Sequence, residues 1–488
     1  MNHTNQRIIF SIVLSGILFG QAFNGYTLFS PTAGGLGGGN NGVSFLINNS
    51  VNVLHTWQHN RGAASMPYLK PDSSIIYPFR VQNPSMSNGG VGGGIARIDW
   101  DNNILWQIEI SNDTYQHHHD IQPLPNGNIL VIAWERKTAA EAFALGRADI
   151  NNPLNQMWSE AILEIEPVGT DSMNLVWEWH LWDHLIQDAD STLPNFGVIS
   201  EHPELMDINY GNVGGSQGPG GSHADWMHLN AIDYNEELDQ IVLSSRAMSE
   251  IYIIDHSTTT TEAASDSGGN SGKGGNILYR WGNPQVYDRG TGANQQLNSQ
   301  HGINWIPDNY PGGGHLICFN NNFQNNNSAV FEIETPMDSV GNYILSESDA
   351  FGPSGPFWTH SGGFHSNVQS GAFRQPNGNT LITDADDAQM FEVTSGGSVV
   401  WVHTFPGTNI MVARAQKYEL TYLGGATFPE FTLGDINFDD EINIQDVSLL
   451  VDMMLNEGYN PTPPADINID GIVNGLDVFL LVQIVLQE

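Results

Sequence analysis

Between residues 26 and 428 the apolar residues fall in short runs, many alternating with polar ones, separated by Gly, Asn, Asp and Pro. A period of two over a handful of residues reads as a half-buried strand, and nothing in this region keeps a helical period. The runs come in pairs. Residues 45–47 precede 53–57, 95–99 precede 104–106, and 162–165 precede 175–177. Likewise 251–255 precede 277–281, 330–333 precede 343–345, and 390–393 precede 399–401. Hairpin signals such as Pro125-Asn126-Gly127 and Pro376-Asn377-Gly378 recur between strands, and Asn-Gly there predicts type I′ turns. Six four-stranded units of uneven length predict an all-β chain folded as a six-bladed β-propeller. A β-sandwich would not account for the recurring order.

The two ends follow other patterns. Arg7 precedes an apolar run over 8–19, and Gly20 and Ala22 sit where a signal peptidase cuts, so residues 1–22 are expected to be a signal peptide. No other run approaches the ~18 apolar residues a membrane span needs. The mature chain is therefore expected to be secreted or periplasmic, with no span after cleavage. At the other end, residues 434–488 contain no Lys or Arg and carry one loop pattern twice. The first copy is Asp435, Asn437, Asp439, Glu441, Asn443 and Asp446; the second is Asp466, Asn468, Asp470, Ile472, Asn474 and Asp477. Oxygen ligands at loop positions 1, 3, 5, 9 and 12, with a backbone carbonyl at 7, are what a hard Ca²⁺ ion requires. Each loop runs into an apolar helix-like stretch, 447–454 and 478–486. The expected organisation is thus a leader (1–22), a propeller (23–428) and a small helical module (434–488) holding two calcium ions.

Charge narrows the partners. With 15 Lys+Arg against 53 Asp+Glu in 488 residues, the net charge is −38, and there is no basic stripe for a phosphate backbone. Nucleic acid is excluded as a partner. Cys318, the single cysteine, forms no internal disulfide.

The 17 histidines matter through their placement. His117-His118-His119, His228, His301 and His365 lie in the same phase of the repeating unit, just ahead of a strand. Residues in equivalent phase on successive blades point at the ring axis, where Arg246 would join them. Few obvious carboxylate partners accompany them. Two chemistries suit such a set. His118, His119, His228 and His301 could hold Zn²⁺ or Cu²⁺ for a hydrolase or lyase. Alternatively, a neutral His acts as a nitrogen nucleophile while a guanidinium and further imidazoles stabilise an anion in transfer, as sulfuryl transfer from a phenolic ester would need. A non-catalytic propeller binding an anionic ligand is a third reading. Trp179, Trp226, Trp305 and Phe364 are candidates for a phenol slot, although aromatics at strand ends in propellers serve mostly as packing.

Several blocks then carry a resemblance. His-His-Asp-Ile-Gln-Pro-Leu-Pro-Asn-Gly-Asn at 118–128, Asp-Trp-Met-His-Leu-Asn at 225–230, Ser-Ser-Arg at 244–246 and Gln-His-Gly-Ile-Asn-Trp at 300–305 resemble bacterial arylsulfate sulfotransferases, as does Trp-Glu-Trp-His-Leu-Trp-Asp-His at 177–184. The match spans roughly 40–425. The resemblance implies a secreted or periplasmic six-bladed propeller that moves sulfate from a phenolic sulfate donor to a phenol acceptor through a sulfohistidine, without a nucleotide sulfate donor or a metal. By the same resemblance His301 is the nucleophile, and His228 and Arg246 hold the sulfuryl oxygens and assist the leaving phenolate. His119 is the fourth member, with His118 as the alternative register. His118 and His365 are candidate substrate contacts, and Asp120 a candidate orienter. Two departures stand out: better-known members carry a disulfide, and their N-terminal strand domain looks shortened here, with blade-like sequence beginning near 44. The paired acidic loops resemble a type I dockerin, whose loops end in Asp where an EF-hand carries Glu. That resemblance implies calcium-dependent folding and a cohesin-type partner.

Overall fold

A computed structural model of the chain describes residues 21–33, 41–216, 221–324, 327–424, 432–437, 439, 441–455, 463–465, 467 and 473–486. Residues 1–20 of the expected leader (1–22) and the loop ligands Asp466, Asn468, Asp470 and Ile472 lie outside the described residues.

Six antiparallel sheets of four strands form the six-bladed propeller. Blade 1 is Tyr68–Leu69, Ile75–Arg80, Gly93–Ile98 and Ile104–Glu109. Blade 2 is Tyr115–Pro123, Ile129–Thr138, Gln156–Val168 and Ser172–His180. Blade 3 is Leu229–Asn235, Gln240–Ser245, Glu250–Asp255 and Tyr279–Trp281; blade 4 is His301–Trp305, Leu316–Gln324, Asn327–Ile333 and Trp358–Ser361. Blade 5 is Gly371–Arg374, Thr380–Asp384, Gln389–Val393 and Val399–Thr404. Blade 6 joins the two ends of the domain: Ile410–Glu419 is followed in space by Gly25–Ala33, Gly42–Ile47 and Val53–His59. From blade 2 to blade 6 the first strand of each sheet touches the first strand of the next, so these strands line the axis.

The burial pattern explains why the strands stay together. Gln240–Ser245 and Glu250–Asp255 are buried at every position, because each blade packs on a neighbour on both faces. Val399–Thr404, on an outer edge, is half exposed and alternates. Ring closure rests on the ladder between the first and last strands, where Gly25 lies opposite Glu419 and Ala33 opposite Ile410. A side chain at Gly25 would put its Cβ 2.4 Å from the Tyr418 carbonyl oxygen, so that rung requires glycine. Propeller strands therefore begin at Gly25, well before residue 44. The ring is closed by hydrogen bonds along one sheet and needs no disulfide; Cys318 is buried in blade 4.

Two expected details are corrected. The partner of Asn327–Ile333 is Trp358–Ser361, not 343–345. Tyr343 is buried for another reason: its ring packs 5.1 Å from that of Tyr279, and its hydroxyl donates to Gln240 Oε1 at 2.7 Å, tying a long loop to blade 3. The Pro-Asn-Gly hairpins are not type I′ turns. Only the glycines, Gly127 (φ 95°) and Gly378 (φ 85°), take positive φ, whereas type I′ needs it at both central residues. The Gly127 N–H bonds the Leu124 carbonyl and the Gly378 N–H that of Gln375, which makes three-residue loops closed by a left-handed glycine.

In the C-terminal region helices Ile444–Leu455 and Gly475–Val485 pack around Ile436, Val447, Leu450, Ala465, Ile467 and Leu481. Each begins three residues before the apolar run read from sequence, because the loop's last residues also cap the helix. Asn474 accepts from Leu476 N–H and Asp477 reaches back to Asn474 N–H, both at 2.8 Å.

Candidate active site

The inner strands of blades 2, 3 and 4 all break register near their first residues: between His117 and Ile121, between Leu229 and Ala231, and between His301 and Asn304. His119 and Gly302 sit within such breaks, with φ of 54° and 64°, and His228, also at φ 54°, directly precedes the strand that carries the third. A bulge inserts a residue and re-aims a side chain, and left-handed φ in a non-glycine residue costs of the order of 1 kcal/mol that surrounding structure must hold. Here the side chains turn towards one cavity of about 430 Å³. His119, His228, Arg246 and His301 all line it, together with Asp225 and His223. Gly90, at φ 78°, lies against the His119 ring, where a Cβ would fall 1.9 Å from Cε1.

His301 is held in one tautomer by a chain of fixed donors. The Asn321 Nδ2 group donates to the carbonyls of Ser366 (2.9 Å) and Gln369 (3.1 Å), which turns its Oδ1 towards His301. His301 Nδ1 then faces two acceptors, Asn321 Oδ1 at 2.8 Å and the Ser299 carbonyl at 3.1 Å. Nδ1 must carry the proton, so Nε2 keeps its lone pair and has no partner among the described residues. Burial drives the pKa of His301 down to about 3, with Arg246 and His228 pushing the same way against the Asn321 hydrogen bond. The ring is neutral and ready to act as a nitrogen nucleophile.

The other groups are set by carboxylates that sequence reading did not pick out. His228 donates its Nδ1–H to Asp225. Burial would raise the Asp225 pKa, yet His228, helped by the Asn88 hydrogen bond, holds it at about 2. His119 Nδ1 lies 3.0 Å from His118 Nδ1, and His118 Nε2 lies 2.9 Å from Glu160 Oε2. The rings of His119 and His228 meet edge to face, 4.6 Å between centroids. Arg246 is half buried, and its backbone N–H bonds the His228 carbonyl at 3.1 Å. Its guanidinium has no hydrogen bond or ion pair with any described residue.

The remaining candidates fall elsewhere. His118 is fully buried behind His119 and stacks on Trp134, 4.1 Å away, so it does not line the cavity. His365 does not line it either. Its backbone N–H bonds Asp384 Oδ2 at 3.1 Å, and Val368 and Gln369 of its loop face the cavity instead. Asp120 orients no histidine; it pairs with Arg414 and accepts from Tyr68 at 3.1 Å. Trp226 lines the cavity but is anchored by its own N–H on the Tyr210 carbonyl, while Trp179 and Phe364 are packing residues. The signal for Asp225 was its place three residues before His228. Glu160 and Asn321 had none, since they come from neighbouring strands.

Among the described residues no three His, Cys, Asp or Glu side chains gather closely enough to hold a metal ion. The first acidic loop fits a hard cation by its donors: Asp435 and Asp446 are buried, and Asp446 accepts N–H groups from Ile436, Asn437 and Asn443. Asn437, Asn443 and backbone carbonyls would supply further oxygens, and residues 434–488 offer no basic side chain to neutralise them.

The sequence profile of the arylsulfotransferase (ASST) family matches residues 86–341. The chain belongs to the arylsulfotransferase family. The match is narrower than the 40–425 expected, but contains His119, His228, Arg246 and His301, whereas His365 lies beyond it. Residues 433–486 match the type I dockerin domain, a calcium-binding module. Comparison with the curated proteins finds no match. Among solved structures, this arylsulfotransferase-family chain is similar to a protein of unknown function from Bacteroides caccae, with 13% identity, 80% of this chain and 98% of that chain covered and a TM-score of 0.40. It is also similar to the periplasmic gluconolactonase of Pseudomonas aeruginosa, with 10% identity, coverage of 78% and 95% and a TM-score of 0.36. No helix among the described residues is long and apolar enough to cross a membrane.

Proposed function

We propose that this arylsulfotransferase-family chain transfers a sulfuryl group from a phenolic sulfate ester to a phenol in two half-reactions. The observation that carries the reading is one cavity holding an imidazole nitrogen with a free lone pair, His301 Nε2, beside an unpaired guanidinium, Arg246. The first is a nucleophile, and the second is an anion's counter-charge.

In the first half-reaction His301 Nε2 attacks sulfur while the sulfur–oxygen bond to the aryl group breaks. The electron pair leaves on the phenolate, which takes a proton from an imidazole in the cavity. In the second, a phenol oxygen attacks sulfur, the nitrogen–sulfur bond breaks, and the phenol proton passes to the same imidazole set. His301 recovers its lone pair. Arg246 holds the sulfuryl oxygens throughout; His228, whose Nδ1–H is given to Asp225, joins it through Nε2–H whenever the ring takes up a second proton, and ionised Asp225 then balances the positive charge. Residues 433–486 would fold around calcium and dock the enzyme onto a cohesin-type protein outside the cell.

The test is p-nitrophenyl sulfate with and without a phenol acceptor. Nitrophenol release that continues only with acceptor, and a sulfuryl adduct on the peptide containing His301 without it, are expected. Release indifferent to acceptor, or an unmodified His301, would overturn the reading.

A further inference from the structure

Glu160 is fully buried in the third strand of blade 2, and no Lys or Arg among the described residues pairs with it. Its Oε1 accepts the Leu229 N–H at 2.9 Å, from the residue that follows His228. Its Oε2 faces His118 Nε2 at 2.9 Å, and His118 Nδ1 in turn faces His119 Nδ1 at 3.0 Å. The Glu160–His118 and His118–His119 contacts each join two atoms that can donate or accept. The row therefore has two self-consistent proton arrangements. If Glu160 is ionised, His118 donates back to it, His119 donates to His118, and His119 Nε2 presents a lone pair to the cavity. If Glu160 is protonated, each bond reverses, and His119 Nε2 presents an N–H.

We infer that Glu160 and His118 are positioning residues that fix His119 as an Nε2–H donor to the anionic group in the cavity. A carboxyl buried without a cation is far more stable protonated than ionised. Burial, then the nearby Asp225 charge, pushes the Glu160 pKa well up, against the backbone N–H groups of Leu229 and His228. Burial likewise keeps His118 and His119 neutral, so neither ring donates by becoming an imidazolium. The other arrangement would aim a lone pair at a sulfate oxygen. The donor form also complements its neighbours: His301 offers the attacking lone pair, and His119 and Arg246 offer hydrogens.

This inference rests on the sulfuryl-transfer reading, and its test separates the two. In Glu160→Gln the amide can donate to His118 while its oxygen accepts from Leu229, so the donor arrangement survives; Glu160→Met keeps the bulk and loses it. The full-length protein should keep kcat/KM for p-nitrophenyl sulfate within about 3-fold in E160Q and lose about 100-fold in E160M. His118→Gln, which can accept at one end and donate at the other, against His118→Met repeats the contrast should E160M fail to fold. Loss in E160Q equal to that in E160M, or full activity in E160M, overturns the inference. Independently of turnover, ¹⁵N-histidine spectra of the wild-type chain should show His119 protonated at Nε2 and bare at Nδ1, and the reverse overturns it. A wild type inactive on aryl sulfates sinks the transferase reading, while these spectra still decide the tautomer.

Discussion

The inner strands of blades 3 and 4 run from one cavity to another. They begin at Leu229, directly after His228, and at His301 beside the 430 Å³ cavity, and end at Asn235 and Trp305 beside a second cavity of about 600 Å³. The second is larger and holds more cations: Arg374, Arg414 and Lys417. Each of those is spent on a buried carboxylate, Glu332, Asp120 and Glu392 respectively. At the first cavity the Arg246 guanidinium is unspent, and His119, His228 and His301 present Nε2 atoms without partners among the described residues. Volume does not distinguish a site from structural space here. Uncompensated charge does, because an unpaired cation in a half-buried position is kept only where something else supplies the anion.

The sharpest break in that comparison is His301→Asn. It removes the nucleophile and should lower sulfuryl transfer by more than about 1,000-fold, with the adduct on that peptide lost. Variants with near wild-type turnover would move the chemistry elsewhere. Next comes a matched pair at the two ends. Arg246→Gln should cost transfer about 100- to 1,000-fold and leave the thermal midpoint nearly unchanged, since no protein partner is abandoned. Arg414→Met abandons buried Asp120, costing about 3–5 kcal/mol, and should lower the midpoint by several degrees. Equal midpoint losses in the two variants would erase the distinction between spent and unspent charge.

Acid should act on the two ends with opposite sign. His117 and His301 are driven by burial to about 3, below the ordinary histidine value of 6.5. Between those values the unfolded chain binds protons that the folded chain refuses, so stability falls as pH drops from about 6.5 towards 3, by up to about 1.4 kcal/mol per pH unit for each ring. At the second cavity Asp233 is raised by burial to about 7, against hydrogen bonds from Trp305 and Tyr234. Its folded form holds the proton longer, so its contribution is lost as pH rises from about 4 to 7. Midpoints measured across pH 4–8 should show a shallower acid limb in His301→Asn and a shallower neutral limb in Asp233→Asn. Unchanged limbs would mean these groups are solvated.

The repeat and the histidine phase were legible because both are periodic: paired strands recur through the chain, and a histidine opens three inner strands. The family blocks added the roles assigned to His301, His228 and Arg246. What stayed hidden is what neighbouring strands supply. Glu160 precedes Leu229 by 69 residues and Asn321 follows His301 by 20, and no spacing rule connects them. The false strand at 343–345 has the same origin: Tyr343 is apolar and buried because it plugs a loop onto blade 3, which a one-dimensional pattern reads as a rung. His365 shows the converse. Its phase resembles the others, yet blade 5 starts six residues later, at Gly371, and the intervening turn through Gln369 and Ser370, both at positive φ, carries the ring away from the cavity.

The smallest expected effect on transfer comes from the C-terminal module. Its buried acceptors Asp435 and Asp446 sit in a segment without any basic residue, so removing calcium leaves their negative charge without a cation. EDTA added to the full-length protein should therefore lower helical circular dichroism, and calcium should restore it, whereas Mg²⁺, which tolerates fewer ligands, should restore less. The propeller rests on its buried core and is closed by the ladder between Gly25–Ala33 and Ile410–Glu419, neither of which contains a metal ligand of that module. Transfer from p-nitrophenyl sulfate should accordingly change less than about 2-fold in EDTA. A chelator that abolished turnover and left the helical signal intact would instead place a metal among the histidines of the first cavity, where unspent nitrogens could receive it.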